Sequence, residues 1–324
     1  MYIQVQPGKA SHGRPNLCKT LQNPNQNVTP AVTQSVAPSV TVVTVTHYSE
    51  RVIGEFLAHL PPGRPLVVTD NASRDSTRDI IRSRTPQATL IANEIGRGFG
   101  NAANQGLAQA GGDFVLLVNP DAKLRPDCLD RLLAAAERYP EAGVLAPALR
   151  TPAGGWEVSH DVDMFQRAEM SPKRADPEPV GDICADYVSG AAMLVRRAAL
   201  DAVPGFDPAI FLYYEDDDFC IRLRRAGWCL IRVADAVTDH AGGGSIKRSW
   251  DKHWEKFWHM AWSRLYIERK YRGPTAMWKI ALPALLRFGL KAPFYLLTDF
   301  RNKGLRDAGR FCGTLAYLIG MKSK

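Results

Sequence analysis

Acidic residues and a histidine stand at three places in this sequence where they could bind a divalent cation or move a proton. The first is Asp121, which ends the triplet Asn119-Pro120-Asp121 after the apolar run Phe114–Val118. A carboxylate in the first loop position after a buried strand can hold Mg²⁺ or Mn²⁺ against a diphosphate, because both are hard cations that prefer oxygen ligands. The triplet is also good turn chemistry, so the residues alone leave both interpretations open.

The second place is a run of four consecutive acids, residues 215–218, at the start of a predicted helix. Negative charge at a helix N-terminus is favourable, and one or two of these acids need do no more than complement the helix dipole. Four acids exceed that need. We expect one carboxylate to face a crevice while Arg222 and Arg224 balance the others. A carboxylate among like charges has a raised proton affinity, which suits a general base that deprotonates a hydroxyl.

The third place is His240, which precedes the sequence Ala-Gly-Gly-Gly-Ser. Glycines let the backbone approach a ligand closely, and a neutral imidazole there could bind a metal or a phosphate. A lone histidine is more often a structural hydrogen-bonding residue. The metal-binding interpretation therefore depends on the company of Asp121 and Asp216.

The pattern of apolar residues predicts strands that alternate with helices along the first half of the chain. A β-branched run at residues 39–46 is typical of a strand buried on both faces. Further strands are predicted at residues 66–69, 88–92, 114–118, 143–146, 187–195 and 228–233, with helices at residues 50–60, 76–84, 101–110 and 215–226 and after Pro126. This alternation predicts an α/β fold with a mostly parallel sheet covered by helices.

Such a sheet binds ligands at the edge where its strands end at their carboxyl termini. Polar residues suited to a nucleotide occupy these strand ends: Thr46, His47, Asp70, Asn71, Asn93 and Asn119. The connection at residues 151–182 is too long for a simple turn, and it is predicted to be an active-site loop capped by Trp156.

A glycine-rich stretch at residues 96–100 suggests a dinucleotide-binding fingerprint, but it fails in detail. The pattern G-x-G-x-x-G requires a glycine at position 101, where Asn101 stands, and it belongs to the first strand and turn of its fold. A nicotinamide-dependent dehydrogenase is therefore disfavoured. Arg97 and Asn104 suit sugar or phosphate oxygens instead, as do Asn93 and Asn101, although Asn101 could equally cap the following helix.

Charge is unevenly distributed along the 324 residues, whose formal net charge is +8. Residues 266–324 hold 12 basic and 3 acidic residues, whereas residues 50–265 hold 26 basic and 30 acidic residues. A nucleic-acid-binding body would carry the basic residues on its own surface, so this class is disfavoured. We predict a flexible N-terminal extension at residues 1–37, a globular domain at residues 38–265 and a basic amphipathic helical segment at residues 266–324.

The basic segment carries Lys279, Arg287 and Lys291 on one side of a helical wheel, with apolar residues over much of the rest. Two interpretations stay open, an interfacial helix on a membrane surface and packing against the globular domain. Pro283 and Pro293 are expected to break the helix. The charged residues interrupt the apolar stretch, so a transmembrane helix is not expected.

Taken together, these motifs resemble the family 2 glycosyltransferases with a GT-A fold, specifically the bacterial rhamnosyltransferase-like branch that builds cell-surface polysaccharides. The resemblance covers roughly residues 39–265. It rests on the following motifs: Thr44-Val-Thr-His-Tyr48, Asp70-Asn-Ala-Ser73, residues 93–106, Asn119-Pro-Asp121, Val188-Ser-Gly-Ala191, Gly205-Phe-Asp207, Tyr214-Glu-Asp-Asp-Asp218, Gly227-Trp228 and residues 240–245.

The resemblance implies a GT-A type α/β fold, a mostly parallel Rossmann-like sheet sandwiched by helices, followed here by a C-terminal helical extension. It implies transfer of a sugar from a nucleoside diphosphate donor to an acceptor hydroxyl, with inversion at the anomeric carbon. Asp216 matches the catalytic base, Asp121 the metal-binding aspartate and His240 a residue that helps to hold metal or diphosphate. The expected donor-binding residues are Thr46, His47, Asp70, Asn71, Arg97, Asn104 and Asn119, and the expected acceptor-binding residues are Glu215 and Trp156.

The expected cofactor is Mg²⁺ or Mn²⁺. Asn119 replaces the first acid of the family's D-x-D pattern, so the metal is expected to bind mainly together with the donor. By resemblance the donor is dTDP-L-rhamnose, with a UDP- or GDP-sugar as the nearest alternative and a noncatalytic glycan-binding protein as a more distant one. The expected acceptor is a glycan or a polyprenyl-diphosphate-linked sugar, which places the protein in the cytoplasm at the inner face of the cell membrane.

Overall fold

The computed structural model describes residues 38–169, 178, 180–240 and 250–323. The predicted N-terminal extension, the glycine run after His240 and the middle of the connection at residues 151–182 lie outside these described residues. The following paragraphs concern the described residues alone.

Twelve strands are defined in the described part of the chain. They are β1 (Val40–Thr46), β2 (Leu66–Asn71), β3 (Thr89–Asn93), β4 (Phe114–Val118), β5 (Ala122–Leu124), β6 (Ala142–Arg150), β7 (Trp156–Glu157), β8 (His160–Asp161), β9 (Ile183–Ala185), β10 (Tyr187–Val188), β11 (Ala192–Arg196) and β12 (Cys229–His240).

Nine α-helices are defined in the same ranges, with a short π-helical turn at Phe300–Gly304 before the last of them. They are α1 (Ile53–Ala58), α2 (Thr77–Arg84), α3 (Phe99–Gln109), α4 (Cys128–Arg138), α5 (Met164–Glu169), α6 (Arg197–Ala202), α7 (Glu215–Arg225), α8 (Trp250–Thr298) and α9 (Leu305–Leu318).

The main sheet has the strand order β3-β2-β1-β4-β11-β6-β12-β5. Strands β3, β2, β1 and β4 are parallel, as are β6 and β12, whereas β11 runs antiparallel between β4 and β6. The prediction of an α/β fold with a mostly parallel sheet is confirmed. Because β1, β2, β3 and β4 are parallel, their carboxyl ends lie at the same edge of the sheet. The polar residues that follow these strands therefore lie along that edge.

The core lies between the central strands and the helices that pack on them. Every residue of β1, β2 and β4 is buried, as expected for strands covered on both faces. Helix α3 packs closely on β1 because Gly106 has no side chain, and a Cβ there would lie 2.6 Å from Cγ1 of Val43. At the other end of the helix, the amide of Asn71 donates to the carbonyl of Gly98 at 3.4 Å, which positions the start of α3 beside the end of β2.

One predicted strand is two strands in the structure. The run at residues 187–195 was expected to be continuous, but β10 ends at Val188 and β11 begins at Ala192. The turn between them contains Gly190, whose backbone N lies 3.4 Å from Oδ2 of Asp216. The interruption of the strand therefore brings a backbone N–H to the acidic helix α7.

The C-terminal segment forms a helical hairpin of α8 and α9, and α8 runs across residue 265 without interruption. The expected breaks at Pro283 and Pro293 are wrong, because the helix continues through both prolines. The non-helical residue is Gly273, at φ 83° and ψ 176°, a conformation that glycine adopts readily. By length and composition, α8 could cross a membrane, and 11% of its apolar window is buried.

Two glycines of α9 set the separation of the hairpin helices. A Cβ at Gly309 would lie 2.7 Å from the carbonyl oxygen of Trp254, and one at Gly313 would lie 2.2 Å from that of Trp258. Helix α9 therefore contacts the backbone of α8 directly, which a larger residue would prevent.

We expect Gly313→Ala to destabilise the hairpin by about 1–3 kcal/mol, because a methyl group at this distance overpacks the interface. The matched control is Gly111→Ala, since a Cβ at Gly111 meets nothing within 4 Å. Thermal unfolding of both variants beside the wild type checks the expectation, and equal melting temperatures for the two variants would contradict the close packing.

Candidate active site

The ends of β1 and β2 are joined by the buried carboxylate of Asp70. Thr46 lies beside Asp70 in the parallel register, and its hydroxyl donates to Oδ2 of Asp70 at 2.9 Å. The other oxygen, Oδ1, accepts from the backbone N–H of Ser73 and from the guanidinium of Arg78. Arg78 on α2 was not singled out in the sequence. Its second bond, to the carbonyl of Asn93 at 2.6 Å, extends the network to the end of β3.

His47 and Asn71 continue this edge. Nδ1 of His47 lies 2.7 Å from the carbonyl oxygen of Asn71, which fixes the tautomer with the proton on Nδ1 and leaves Nε2 as an acceptor. Burial lowers the pKa of His47, so its imidazole is neutral at pH 7. Oδ1 of Asn71 accepts from the backbone N–H of Arg97 at 2.8 Å, and the side chain of Arg97 is exposed.

Backbone strain is concentrated around the same edge. Among the described residues, the non-glycine residues with positive φ are Tyr48 after β1, Ala72 after β2, and the consecutive pair Tyr213 and Tyr214 before α7. Left-handed conformations of this kind cost on the order of 1–3 kcal/mol each and cluster at functional sites. All four residues adjoin the motifs that the sequence singled out.

Asp121 and His240 are brought together by the pairing of two distant strands. Strand β5 begins at Ala122 and pairs with the end of β12, so that Ala122 lies opposite His240. Nε2 of His240 is 3.6 Å from Oδ1 of Asp121, and both side chains are largely buried. Two ligand atoms at this separation can both contact one Mg²⁺ or Mn²⁺ ion, whose bonds to its ligands are about 2.1 Å long.

His240 has a second carboxylate partner that the sequence did not indicate. Nδ1 of His240 lies 2.8 Å from Oε2 of Glu157, which follows Trp156 on β7. Burial alone would lower the pKa of His240, but hydrogen bonds to Asp121 and Glu157 outweigh it and raise the pKa to about 9. A carboxylate behind a histidine is the usual way to orient an imidazole toward a metal. Trp156 is half-buried beside Glu157, opposite Arg150 in the β6–β7 pair.

A cleft of about 420 Å³ opens beside these residues. Its lining includes Asp121, Lys123, Arg150, Asp239 and His240. Within the described ranges, no group of three or more His, Cys, Asp or Glu side chains forms a ready metal cluster. A cation bound here would therefore need further ligands from a bound molecule.

Asn119 adds a polar atom to this part of the site. Its backbone N–H donates to the carbonyl of Ala191 at 2.9 Å, while its side-chain Oδ1 is buried without a hydrogen-bond partner among the described residues. A buried acceptor of this kind costs free energy unless something donates to it. The bond to Ala191 also ties the Asn119-Pro120-Asp121 turn to the β10–β11 turn, which contacts Asp216.

Asp216 is the one acid of the four that is not buried, and it is held by three donors. Oδ2 accepts from the hydroxyl of Tyr187 at 2.7 Å and lies 3.4 Å from the backbone N of Gly190. Oδ1 accepts from the backbone N–H of Asp217 at 3.0 Å. A carboxylate has about four acceptor positions, so capacity is left for a further proton donor. Tyr187 had been expected only as a strand residue.

The acids on either side of Asp216 are buried and have raised proton affinity. Burial, reinforced by the charge of Asp216, raises the pKa of Glu215 to about 8, and Oε2 of Glu215 has no hydrogen-bond partner in the described chain. Burial and Asp216 likewise raise the pKa of Asp217 to about 7, opposed by its ion pair with Arg167. Near neutral pH, Asp216 is therefore flanked by carboxyl groups that are at least partly protonated.

Two residues from the motifs have partners that account for them structurally. Asp218 is fully buried, bonds Arg222 at 2.7 Å and contacts Lys270 and Tyr271 of α8. The amide of Asn104 bonds both the N–H and the carbonyl of Phe206, at 2.7 and 2.8 Å. Asn104 thereby fixes the Gly205-Phe206 turn, and its role in donor binding stays a prediction.

The helix that follows Gly98 has no side-chain cap, so Asn101 does not cap it.

The fold and this edge of the sheet define a GT-A type protein. The family model described as glycosyl transferase family 2 matches residues 41–203. The chain belongs to this family, and the resemblance inferred from its motifs is confirmed.

Curated relatives include rhamnosyltransferases. The N-acetylglucosaminyl-diphospho-decaprenol L-rhamnosyltransferase of Mycobacterium tuberculosis is 32% identical over 237 residues, which cover 61% of this chain and 75% of that protein. The rhamnosyltransferase WbbL of Escherichia coli (strain K12) is 28% identical over 146 residues, covering 40% of this chain and 55% of that protein.

Solved structures share the fold at low identity. The mannosyltransferase PcManGT from Pyrobaculum calidifontis, in complex with GDP-Man and Mn²⁺, matches with a TM-score of 0.53 and 18% identity over 93% of this chain and 92% of that one. Residues 1–349 of S. aureus TarS match with a TM-score of 0.51 and 15% identity, covering 87% of this chain and 92% of that one.

The buried acid Glu215 gives a test of the site by pH. Its folded-state pKa near 8 lies above the unfolded value of 4.5, so its contribution to stability is complete below pH 4.5 and is lost as the pH rises through 8. We expect Glu215→Gln to flatten the fall in unfolding free energy between about pH 5 and 8, by up to roughly 1.4 kcal/mol per pH unit. Urea unfolding at several pH values measures this slope.

The matched control is Glu137→Gln, an exposed glutamate of α4. It should retain the wild-type slope. Identical slopes for the two variants would show that Glu215 does not bind a proton on folding.

Proposed function

We propose that this protein is an inverting glycosyltransferase that moves L-rhamnose from dTDP-L-rhamnose to a sugar carried on a polyprenyl diphosphate. The observation that carries the proposal is the arrangement around Asp216. This half-exposed carboxylate is fixed by Tyr187 and Gly190, and the same β10–β11 turn is bonded to the Asn119-Pro120-Asp121 turn. A base and a diphosphate-binding acid are thus built on one connected piece of structure. Similarity to rhamnosyltransferases supports the choice of sugar and acceptor.

In the proposed reaction, Asp216 acts as the general base. It accepts the proton of the acceptor hydroxyl as that oxygen bonds to the anomeric carbon, while the bond from that carbon to the diphosphate breaks. Attack from the face opposite the leaving group inverts the anomeric configuration and requires no covalent enzyme intermediate. Glu215 lies beside the base, where we propose that it contacts the acceptor together with Trp156.

The residues Asp121 and His240 fit a hard divalent cation, Mg²⁺ or Mn²⁺, which would displace the proton that His240 shares with its two carboxylate partners when no metal is bound. A carboxylate and an imidazole 3.6 Å apart, with Glu157 behind the imidazole, supply two ligands and an orienting group. The cation would supply stabilisation of the negative charge that develops on the leaving diphosphate. Because two side chains cannot complete its coordination, the donor diphosphate would supply further oxygens, in accord with the asparagine at position 119.

The nucleoside of the donor is assigned to the ends of β1 and β2. The side chains of Thr46 and Asp70 form a buried hydrogen-bonded pair, and Nε2 of the neighbouring His47 can accept a hydrogen bond. Asn71 holds the backbone of Arg97, and we propose that the exposed Arg97 side chain contacts a phosphate of the donor. These residues suit the base and ribose of any nucleotide, so a UDP- or GDP-sugar on the same fold is the alternative donor.

A donor screen tests the proposal directly. The protein with Mn²⁺ is incubated with dTDP-L-rhamnose, UDP-sugars and GDP-sugars, each with a polyprenyl-diphosphate-linked N-acetylglucosamine analogue, and products are found by mass spectrometry. A mass increase of one deoxyhexose with dTDP-L-rhamnose is the expected result. Transfer only from UDP- or GDP-sugars would contradict the choice of donor, and no transfer from any donor would contradict the proposed activity.

Substitutions separate the base from the metal site. We expect Asp216→Asn to bind dTDP-L-rhamnose with Mn²⁺ as the wild type does but to lose at least about 10²-fold in turnover, because the general base is removed. Asp121→Ala should instead lose the Mn²⁺-dependent part of donor binding. Calorimetric titration of the donor with and without Mn²⁺, beside turnover assays, distinguishes the two, and undiminished turnover would exclude Asp216 as the base.

We further propose that α8 binds a lipid surface. Large apolar side chains recur along its C-terminal half and form an apolar stripe, which consists of Trp278, Leu282, Leu286, Leu290, Phe294 and Leu297. Their exposed fractions range from 44% for Trp278 to 89% for Leu297. Residues 269–298 contain no acid, and the exposed bases Lys279, Arg287 and Lys291 lie among the stripe. An apolar face with basic residues favours an anionic membrane surface.

Vesicle sedimentation tests this surface. We expect the wild type to sediment with vesicles of phosphatidylglycerol and phosphatidylcholine, and Leu286→Glu/Leu290→Glu to lose at least about tenfold in affinity, because acids on the stripe oppose insertion and anionic lipid. The matched control is Gln87→Glu/Val180→Glu, which adds the same charge at exposed positions of the globular domain. Equal sedimentation of the two variants would contradict the membrane surface.

A further inference from the structure

An unusual group of cations lies on the α8–α9 hairpin beside the apolar stripe. The guanidinium of Arg310 lies between two aromatic rings, 4.9 Å from the centroid of Phe257 and 5.3 Å from that of Phe288. Arg287 lies over the same Phe288 ring, at 5.6 Å. We call Arg287, Arg306 and Arg310 the arginine cluster. Its position is fixed because Gly309 and Gly313 press α9 against the backbone of α8.

One of the three cations in the arginine cluster is paired with a carboxylate. The fully buried Asp307 accepts from Nε and Nη2 of Arg306, at 2.6 and 3.1 Å. In the described part of the chain, neither Arg287 nor Arg310 has a carboxylate within ion-pair distance. Burial and the neighbouring arginines lower the pKa of Arg310, against the opposing charge of Asp307. A partly buried cation without a direct counter-ion is costly, and an anion bound beside Arg310 would remove that cost.

The arginine cluster connects the apolar stripe with the acidic helix that carries the base. Arg287 is adjacent in sequence to Leu286 of the stripe. At the other side, Arg310 lies over the ring of Phe257, and the chain neighbour Lys256 lies over the ring of Tyr213, at 5.9 Å. Tyr213 and Tyr214 lead into helix α7. Tyr214 directly precedes Glu215 and lies two residues before Asp216. A molecule with an apolar tail, an anionic middle and a sugar end would match this order of surfaces.

We propose that the arginine cluster binds the diphosphate of the lipid-borne acceptor. The inference rests on the proposed function and names the subsite by which that function holds its acceptor. Guanidinium groups suit phosphate oxygens because they donate two parallel hydrogen bonds in a fixed plane. The lipid tail then lies along the apolar stripe, and the sugar reaches Asp216.

A phospholipid headgroup offers the same phosphate chemistry, so the experiment has arms that distinguish the two sources. The variant is Arg310→Gln, and the matched control is Arg269→Gln, an exposed arginine of the same hairpin. The first arm measures KM for a short-chain polyprenyl-diphosphate N-acetylglucosamine and for octyl N-acetylglucosaminide, which has no diphosphate, both without vesicles. The second arm measures sedimentation with phosphatidylglycerol vesicles.

We expect Arg310→Gln to raise KM for the diphosphate acceptor about tenfold or more, with little change for the octyl acceptor and in vesicle binding. An unchanged KM would overturn the proposal, as would an equal loss with both acceptors. Loss of vesicle binding with an unchanged KM would assign the cluster to phospholipid headgroups. Arg287→Gln, at an exposed position, gives the same comparison if Arg310→Gln fails to fold.

Binding can also be measured without turnover. We expect geranyl diphosphate to bind the wild type in the presence of saturating dTDP and Mn²⁺, and to bind Arg310→Gln about tenfold more weakly in calorimetric titration. This measurement separates the two proposals, because it can succeed or fail whether or not the protein transfers rhamnose. Equal affinity for the wild type and Arg310→Gln would overturn the subsite alone.

Discussion

The edge of the sheet at the ends of β1 and β2, where we propose that the donor binds, depends on one buried carboxylate. Asp70 receives hydrogen bonds from the end of β1, from the turn after β2 and from α2, so three segments are fixed by one side chain that is out of contact with solvent. A buried charge is tolerated only when its partners are complete. The strain at Tyr48 and Ala72 is therefore maintained by a network that cannot relax without exposing Asp70.

Asp216, the proposed general base, is held in a different way. Asp216 is not satisfied by ion pairing, since its donors are a phenol and backbone N–H groups, and the cations nearby are paired with its neighbours Asp217 and Asp218. Repulsion on Asp216 is reduced because Glu215 holds its proton near neutral pH, and because the ion pairs offset the charges of Asp217 and Asp218. A carboxylate left in this setting is oriented but still able to accept a proton, which is the property that a general base needs.

The sequence predicted the part of this structure that follows from local pattern. The buried strands were predicted from β-branched runs, and several candidate site residues from the polar residues that follow these runs. Both predictions depend on patterns within a few residues of sequence. Glu157 and Tyr187 were not predicted as site residues, since each meets its partner through strand pairing or helix packing across 83 and 29 residues. The continuous helix through Pro283 and Pro293 was also missed, because hairpin packing overrides local helix propensity.

The close contact between α8 and α9 has a consequence for which molecules can react. Where Gly309 and Gly313 bring the backbones of α8 and α9 into contact, no side chain lies between the helices to deform, so this part of the pair behaves as a stiff spacer between its outer face and the globular domain. If that outer face lies on a membrane, the height of Asp216 above the lipid is constant. The protein would then select its acceptors by length, because only a glycan whose hydroxyl lies at that height above the lipid could reach Asp216.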